Sequence, residues 1–495
     1  MEPAPERVRR TTRRPTLPPE KNTGRVQDKY SAYDDFAWEE IEKFLRTKWP
    51  QWKDFNPRKF NDNWQFEIPV KLTDLQPSYF CLTEREDDVD EIYEIPVIDT
   101  VNGIGRPFVP KNIHSPAKLN TWLGVQVLPC TNDPSAQQVI AQKKDPKCRF
   151  IYLYAEHSRD KLKFTLDSLC QLLTYYQVMP EYLDFMLVFG SKSDERDLRF
   201  SGFRDQIRLK PSTSARHDIP ELGRSGRVFQ LCYNLKSVYM KNASKENRKL
   251  DAWSIRNAAF YHHFDVEYGT TLWIVTKGGR DILDQYQNLI SSGAQSGEIC
   301  YDDLASSYRS TLATHLLYCH WSTEDWRWYI GWLEDIVDRE SGMAVDGLRG
   351  HGYAHKEYEP WDIQDLQHWQ DKTNEVVMVV EANAKILRSL RKFYSDLVVK
   401  KDFPLALRNA CEDDMDAFFS QLDGFIDDFD MQIARARLLA NIISDRKELV
   451  LQHLQSQASD RTEQLNRNLE RETVVMRIIT IVTLIYLPAT FVSVS

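Results

Sequence analysis

The C-terminal part of the sequence reads Gln455-Ser-Gln-Ala-Ser-Asp-Arg-Thr-Glu-Gln-Leu-Asn-Arg-Asn-Leu-Glu470 and then, after a short connection, Ile478-Ile-Thr-Ile-Val-Thr-Leu-Ile-Tyr-Leu-Pro-Ala-Thr-Phe-Val-Ser-Val494. The first run is polar, and no Gly or Pro follows it until Pro488. The apolar run is 17 residues long. As a helix it measures about 25 Å, near the lower limit for crossing a bilayer core of about 30 Å. The sequence therefore predicts a polar helix that enters a membrane, with a transmembrane helix over residues 478–495.

A long helix is predicted to lead into this membrane segment. It begins near Asp413, and an unbroken helix from there would contain roughly 75 residues and exceed about 100 Å in length. We assign residues 413–477 to a stalk helix and residues 301–412 to a layer of antiparallel helices. Within that layer, Leu and Trp recur at helical spacing, and one long helix is predicted to end near Phe403-Pro404.

The preceding stretch, residues 148–300, has the pattern of an α/β domain. Leucines at regular spacing predict a helix over residues 161–173, and Glu267-Tyr-Gly269 predicts a hairpin turn in which Gly269 adopts a positive φ. Apolar runs predict strands over residues 150–154, 184–189, 227–235, 258–266 and 270–276. The fold class is therefore α/β with long helices. It comprises a mixed-sheet α/β/α cytosolic domain, then antiparallel helices, then the stalk helix running into one transmembrane segment.

The N-terminal part carries weaker signals. Residues 1–29 are rich in Arg and Pro and lack an apolar signal core, so they predict a disordered basic tail rather than a secretion signal. Residues 30–147 form a segment of unassigned role. Within it, residues 36–45 predict a helix, and residues 93–98 predict a short strand near a sheet edge because they contain a proline.

Composition excludes several function classes. A net charge of −9 and a pI near 5.8 argue against a general nucleic-acid surface, so no nucleic-acid partner is expected. The eight cysteines form no C-x-x-C pair, which excludes a zinc ribbon and a thioredoxin-like motif. His351-Gly-Tyr-Ala-His355 lies among glycines, which predict a loop rather than a metal-binding helix. No P-loop, G-x-S-x-G or H-E-x-x-H motif occurs, so we expect no enzyme activity.

One stripe of the final helix combines hydroxyl and apolar side chains. Steps of three and four residues place Thr473, Met476, Thr480, Thr483 and Leu487 on one face. In a symmetric bundle around a narrow axis, such a face would let hydroxyls solvate a passing ion while apolar rings exclude water. The alternative is that each threonine bonds its own helix backbone and faces lipid or a neighbouring helix.

A second stripe, at the start of the same helix, is acidic. Asp416, Asp423, Asp427 and Asp430 recur along one side. Like charges at this spacing repel by a few tenths of a kcal/mol, so cations or basic partners are expected to neutralise them. Hard cations such as Mg²⁺ prefer oxygen ligands, and a loose carboxylate face could sense them. The alternative is a solvated face, or ion pairs with Arg and Lys of the preceding helices.

The membrane segment resembles that of a known family. Met476-Arg-Ile-Ile-Thr-Ile-Val-Thr-Leu-Ile-Tyr-Leu-Pro-Ala-Thr-Phe-Val492 is similar to the end of the stalk helix and the first transmembrane helix of CorA-type magnesium transporters. Four upstream segments resemble the cytosolic domain of the fungal CorA-like group, and they cover residues 180–190, 200–203, 230–235 and 253–256. The resemblance extends roughly from Cys148 to the C-terminus.

The resemblance implies a membrane transporter subunit for divalent cations, with Mg²⁺ as the transported or regulatory ion. It also implies a homo-oligomer, a pentamer in this family, with the first membrane helix lining the pore. Carried over by position, the pore-lining residues would be Thr473, Met476, Thr480, Leu487 and Thr490. The family senses magnesium with acidic residues between neighbouring cytosolic domains, for which Asp423 and Asp427 are the candidates by location.

This sequence also departs from the family pattern. Family members continue to a Gly-Met-Asn signature and a second transmembrane helix, and this sequence contains neither. We therefore expect the polypeptide as given to be inactive in transport. The alternative function is a tail-anchored cytosolic scaffold or regulator that retains the fold without transport. In both cases Arg467, Arg471 and Arg477 favour a cytosolic N-terminal body, and the plasma membrane is expected over the mitochondrial inner membrane.

Overall fold

A computed structural model describes residues 26–31, 42, 45–46, 55–60, 63–68, 81–82, 92–100, 108–129, 137–141, 143–156, 160–190, 199–211, 218–240, 253–293, 299–346 and 357–492. The chain separates into two units. The first comprises residues 1–79 and 192–195, and the second comprises the remainder. In the first, strands β1 (Val26–Ser31), β2 (Arg58–Phe60) and β3 (Asn63–Ile68) form an antiparallel sheet in the order β1-β3-β2. The helix predicted over residues 36–45 lies mostly outside the described residues, although Glu42 and Leu45 are helical.

The second unit is built on a seven-stranded mixed sheet. Its strand order is β11-β12-β13-β14-β9-β5-β6, and every neighbouring pair is antiparallel except β14 and β9. The strands of this unit are β4 (Cys81–Leu82), β5 (Ile95–Thr100), β6 (Phe108–Ile113), β7 (Val125–Pro129), β8 (Gln137–Ala141), β9 (Cys148–Ala155), β10 (Leu162–Thr165), β11 (Phe203–Arg208), β12 (Val228–Met240), β13 (Trp253–Asp265) and β14 (Thr271–Gly278). The mixed sheet expected from the sequence is therefore present, and β5 lies next to an edge strand.

The hairpin between β13 and β14 forms as predicted. Gly269 has a φ of +68°, which favours a residue without a side chain. The Asp265 carboxylate fixes the turn, because it accepts hydrogen bonds from the backbone N–H groups of Glu267 and Tyr268, both at 2.9 Å. The local signal was sufficient here because the turn residues and the flanking apolar runs indicate the same structure.

Helices cover both faces of the sheet. The helices are α1 (Pro116–Leu123), α2 (Leu166–Tyr175), α3 (Tyr182–Met186), α4 (Asp281–Gly293), α5 (Leu304–Thr323), α6 (Trp326–Asp346), α7 (Pro360–Val398), α8 (Leu405–Ala410) and α9 (Glu412–Val492). Along β9, Ile151 and Leu153 pack into the core formed with α1 to α3, whereas Phe150 and Tyr152 pack into the core formed with the later helices. This alternation follows from the two-residue period of a strand and produces an α/β/α arrangement.

Two local predictions were wrong. Residues 184–189, predicted as a strand, include the end of helix α3. Their short apolar run fits either structure, and burial of Tyr182, Phe185 and Met186 on one side decides for the helix. Leu162 was assigned to a helix but lies in β10. Helix α2 begins only at Leu166, because the Thr165 hydroxyl caps it by accepting from the Ser168 N–H at 3.3 Å.

The long helices agree with the sequence. Helix α7 ends at Val398, shortly before the predicted end, and α9 extends over 81 residues from Glu412. Ion pairs between the two helices show that they are antiparallel, because positions that rise along α7 meet positions that fall along α9: Glu381 with Arg437, Arg388 with Asp430, and Arg391 with Asp423. Helix α6 runs parallel to α9, with Glu334 paired to Arg435 and Asp338 to Arg446.

Candidate functional site

Helix α9 carries both predicted sites, and its first half is a packed element of the core. Buried apolar side chains recur on it at three- and four-residue steps, and they pack against α5, α6 and α7. They include Met415, Phe418, Leu422, Ile426, Phe429, Ile433, Ala436, Leu439 and Ile443. Beside this apolar face, the Arg435 guanidinium of α9 donates hydrogen bonds to the Glu334 carboxylate of α6, which raises the pKa of Arg435. This half is held by contacts within the chain.

The second half of α9 has no such cover. Every residue from Ala458 to Leu484 is exposed in the part of the chain that the structure describes. Large apolar side chains are among them, including Leu469 at 58% exposure and Met476 at 62%. Exposed large apolar side chains are frequent only from Val474 to Leu484, and exposed apolar surface of this kind often marks an interaction site.

The predicted pore stripe lies on this exposed half. Thr473, Thr480 and Thr483 each donate their hydroxyl hydrogen to the backbone carbonyl four residues earlier, at 2.7 Å. The structure thus contains the self-bonded threonines considered as the alternative above. The bond uses the hydroxyl proton and leaves oxygen lone pairs free, because a hydroxyl has one donor and two acceptor positions. The stripe therefore presents acceptor oxygens on either side of Met476.

The remaining pore candidates lie further along the helix. The structure describes side chains of α9 only as far as Leu484, so those of Leu487 and Thr490 lie outside the described residues. The same is true of much of the predicted membrane segment, residues 478–495. Among the helices that the structure describes, none contains a stretch that is both long enough and apolar enough to span a bilayer.

Two of the four aspartates of the acidic stripe, Asp423 and Asp430, form ion pairs with basic residues, as does the neighbouring Asp414. Asp423 forms a two-pronged ion pair with Arg391 of α7, with N–O distances of 2.6 and 2.9 Å. Both oxygens of Asp430 contact a single nitrogen of Arg388, Nη2, and Asp414 lies 3.0 Å from Arg309 of α5. The guanidinium of Arg391 also lies 5.3 Å from the Phe419 ring centroid, which orients it. The alternative of ion pairs with preceding helices therefore holds for these three aspartates.

The two predicted metal ligands have different surroundings. Asp423 is half-buried, and its carboxylate is occupied by Arg391, whereas Asp427, one turn further along, is exposed. Beside Asp423 lies a cavity of about 370 Å³ lined by Arg388, Arg391, Lys392, Ser395 and Ile426. Across the described ranges, no three His, Cys, Asp or Glu side chains gather into a group that could hold a metal ion. The assignment of Asp423 and Asp427 to magnesium stays a prediction.

The basic partners on α7 were missed by the sequence reasoning. Arg388 and Arg391 stand three residues apart and match Asp430 and Asp423 only when the two helices are antiparallel in one register. That register could have been tested by aligning the two charged stripes. His351-Gly-Tyr-Ala-His355, which we set aside as a metal site, lies outside the described residues.

Comparisons with solved structures give matches at low sequence identity and low TM-score. The cytoplasmic domain of ZntB from Vibrio parahaemolyticus is 9% identical, covers 72% of this chain and 98% of its own, and has a TM-score of 0.34. The soluble domain of CorA from Methanocaldococcus jannaschii is 9% identical with a TM-score of 0.35, covering 64% of this chain and 93% of its own. Full-length CmaX is 13% identical with a TM-score of 0.34, and it covers 81% of this chain and 84% of its own.

The comparison with protein families is more decisive. No curated protein matches the chain. Residues 70–345, however, match the CorA-like transporters. This match spans more than half of the sequence and includes the whole of the seven-stranded sheet. The protein is therefore a member of the CorA-like family, whose members are transporters and not enzymes.

Proposed function

We propose that this protein is a subunit of a membrane transporter for divalent cations, with Mg²⁺ as its ion. The observation that carries the proposal is the exposed half of α9, on which Thr473, Met476 and Thr480 share one face. Copies of the chain would pack this half around a common axis, as five copies by the family resemblance. Packing would cover the apolar side chains and bring the threonine oxygens of several chains together.

The chemistry of the stripe suits a hydrated cation. Because each threonine hydrogen is committed to its own backbone, the oxygen lone pairs would accept hydrogen bonds from water bound to the ion. The apolar side chains between the threonines would exclude bulk water and form the gate. Leu487 and Thr490 would continue the same path inside the membrane, with residues 478–495 as the transmembrane helix.

The remainder of the chain would lie in the cytosol and regulate the path. Arg467, Arg471 and Arg477 precede the apolar run, and basic residues are retained on the cytosolic side. The plasma membrane is the proposed location. Asp423 and Asp427 would sense magnesium between neighbouring copies, in competition with Arg391 for the Asp423 carboxylate.

Ion flux tests the proposal. The tested protein carries the family's Gly-Met-Asn loop and second transmembrane helix after residue 495, because the sequence without them is expected to be inactive. Inserted in lipid vesicles, it should pass Mg²⁺ to a trapped dye, and Thr480→Val should lower the initial rate by about tenfold, since a loss near 1.4 kcal/mol at the narrow point has that effect. Val474→Thr is the matched control, because residue 474 lies on the opposite side of the helix from residue 476. Equal rates for the two variants would contradict the pore assignment.

A second candidate is a tail-anchored scaffold without transport. Two observations favour it: the self-bonded threonines and the occupation of Asp423 by Arg391. A scaffold would bind vesicles and yet pass no Mg²⁺. Sedimentation of the protein with the vesicles, measured in the same samples as flux, distinguishes the two functions.

A further inference from the structure

The buried side of helix α5 is polar where it meets the sheet. Ser307, Thr311 and His315 follow one another at four-residue steps, so they form one line along the helix. All three are fully buried, with no solvent exposure. A helix face turned toward a hydrophobic core is normally apolar, because each buried polar group must find a hydrogen-bond partner. Each of these three side chains therefore needs a hydrogen-bond partner inside the core.

Several polar atoms around His315 lack partners in the part of the chain that the structure describes. The His315 ring lies 4.7 Å from the Trp273 ring, 5.1 Å from that of His262 and 5.4 Å from that of Tyr394, measured between centroids. Each of these residues is at least nine-tenths buried. The unpartnered atoms are His315 Nε2, His262 Nδ1, Trp273 Nε1, Thr311 Oγ1 and the Tyr394 hydroxyl. We call this group the His315 cluster.

His262 shares one contact with Thr271. The Thr271 hydroxyl donates to the His263 carbonyl at 3.3 Å and lies 3.1 Å from His262 Nε2, a contact whose direction depends on the imidazole tautomer. In either tautomer, His262 Nδ1 has no partner among the described residues. The same holds for Trp273 Nε1, which can only donate.

The chemistry of the cluster selects an uncharged occupant. Burial lowers the pKa of His315 to about 3 and the pKa of His262 well below its usual range, so both rings are neutral. No carboxylate belongs to the cluster, and the described residues offer no set of three metal-ligating side chains. A small molecule that donates and accepts hydrogen bonds matches these atoms.

We propose that the His315 cluster is an internal hydration site, at which ordered water bridges helix α5 to the sheet. Water would accept from Trp273 Nε1 and form a hydrogen bond with His262 Nδ1 in either tautomer, with the Thr311 and Tyr394 hydroxyls as further partners. The site joins four elements, because these residues belong to β13, β14, α5 and α7. Bridging water would thus connect the sheet to the helix that packs along the stalk.

Apolar substitution distinguishes a hydrated cluster from a dry one. In the full chain, Thr311→Val removes one hydroxyl at nearly constant volume. If water occupies the cluster, the variant loses a hydrogen bond and its urea midpoint falls. If the cluster is dry, the variant removes an unpaired polar group and its midpoint stays the same or rises, which would overturn the proposal. Tyr394→Phe makes the same test from α7.

Thr373→Val is the matched control, since it removes a buried hydroxyl that has a protein partner. Thr373 is also fully buried in a helix, but its hydroxyl donates to the Trp369 carbonyl at 2.8 Å, so the structure gives it a partner outside the cluster. If the Thr311 and Tyr394 variants do not fold, water relaxation dispersion on the unaltered protein decides. Long-lived internal water bound near His315 supports the site, and a crystal structure without water density among the five atoms rejects it.

Discussion

The two halves of helix α9 have the same backbone and opposite surroundings. In the first half, Leu422 is fully buried against the other helices, whereas Leu469 in the second half is 58% exposed. Both are leucines in one continuous helix. Helix formation along α9 therefore requires only local signals, whereas burial depends on which neighbours the fold provides. The half of α9 that is not covered within the chain is also the half that carries the proposed pore stripe.

The largest expected effect is on core packing. Leu422→Ala should lower the free energy of unfolding by about 2–5 kcal/mol, because it leaves a cavity in the packed half. Leu469→Ala should change it by less than about 0.5 kcal/mol in a single chain. Urea denaturation followed by circular dichroism measures both. Equal losses would mean that residues near 469 are covered within the chain, and the contrast between the halves would fail.

Acid should act on the packed region through buried histidines. The pKa of His315 is about 3 in the folded protein against about 6.5 when unfolded, because burial disfavours the charged form. The unfolded chain then binds the extra proton, so stability is complete above about pH 6.5 and falls as the pH drops toward 3. The loss through His315 should be about 3 kcal/mol by pH 4.5, because each unit below 6.5 contributes about 1.4 kcal/mol.

Comparison of two histidine variants isolates this effect. His315→Phe should reduce the slope of unfolding free energy against pH between 6.5 and 4, whatever its effect on stability at neutral pH. The slope that remains comes from His262 and His263, because burial lowers the pKa of both. His320→Gln, on the same helix but exposed, should leave the slope unchanged. A slope insensitive to His315→Phe would show that this imidazole is not held neutral in the core.

A smaller effect is expected where α7 meets the sheet. Strand β11 pairs with β12 only as far as Tyr233, and beyond it the Asn383 amide accepts from the Lys236 N–H at 3.1 Å and donates to the Lys236 carbonyl at 2.6 Å. Asn383→Ala leaves both backbone groups buried and unpaired, which should cost about 2 kcal/mol. Gln367→Ala, at an exposed position of α7, is the control. Thermal or urea unfolding measures the loss of stability in each variant, and equal losses would contradict this account.

The smallest effect on stability is expected at the acidic stripe. Arg391→Gln removes an ion pair in which both side chains are more than two-fifths exposed, so the loss should be below about 1 kcal/mol. If magnesium binds Asp423 and Asp427, the variant should gain more thermal protection from added Mg²⁺ than the unaltered protein. Arg437→Gln, which breaks the pair with Glu381 instead, is the control. Equal protection would remove Asp423 from the sensing site.

Local sequence patterns predicted the elements whose causes are local. The β13–β14 hairpin, the start of α9 and the length of α7 follow from turn residues, a gap in helix breakers and regular apolar spacing. Short apolar segments were ambiguous. Residues 184–189 lack the length that distinguishes a strand from a buried helical turn, and Leu162 precedes a threonine cap that moves the helix start.

Family membership, the alternation of strands and helices, and the position of the threonine stripe on one face of α9 all follow from the order and spacing of residues along the chain. Which charged side chains meet follows only from how the helices pack. Arg391 and Asp423 are 32 residues apart, and their pairing depends on the antiparallel register of α7 and α9, which is set by apolar side chains elsewhere on both helices. Helix formation depends on neighbours within a few residues, whereas ion pairs and burial depend on the whole packed chain.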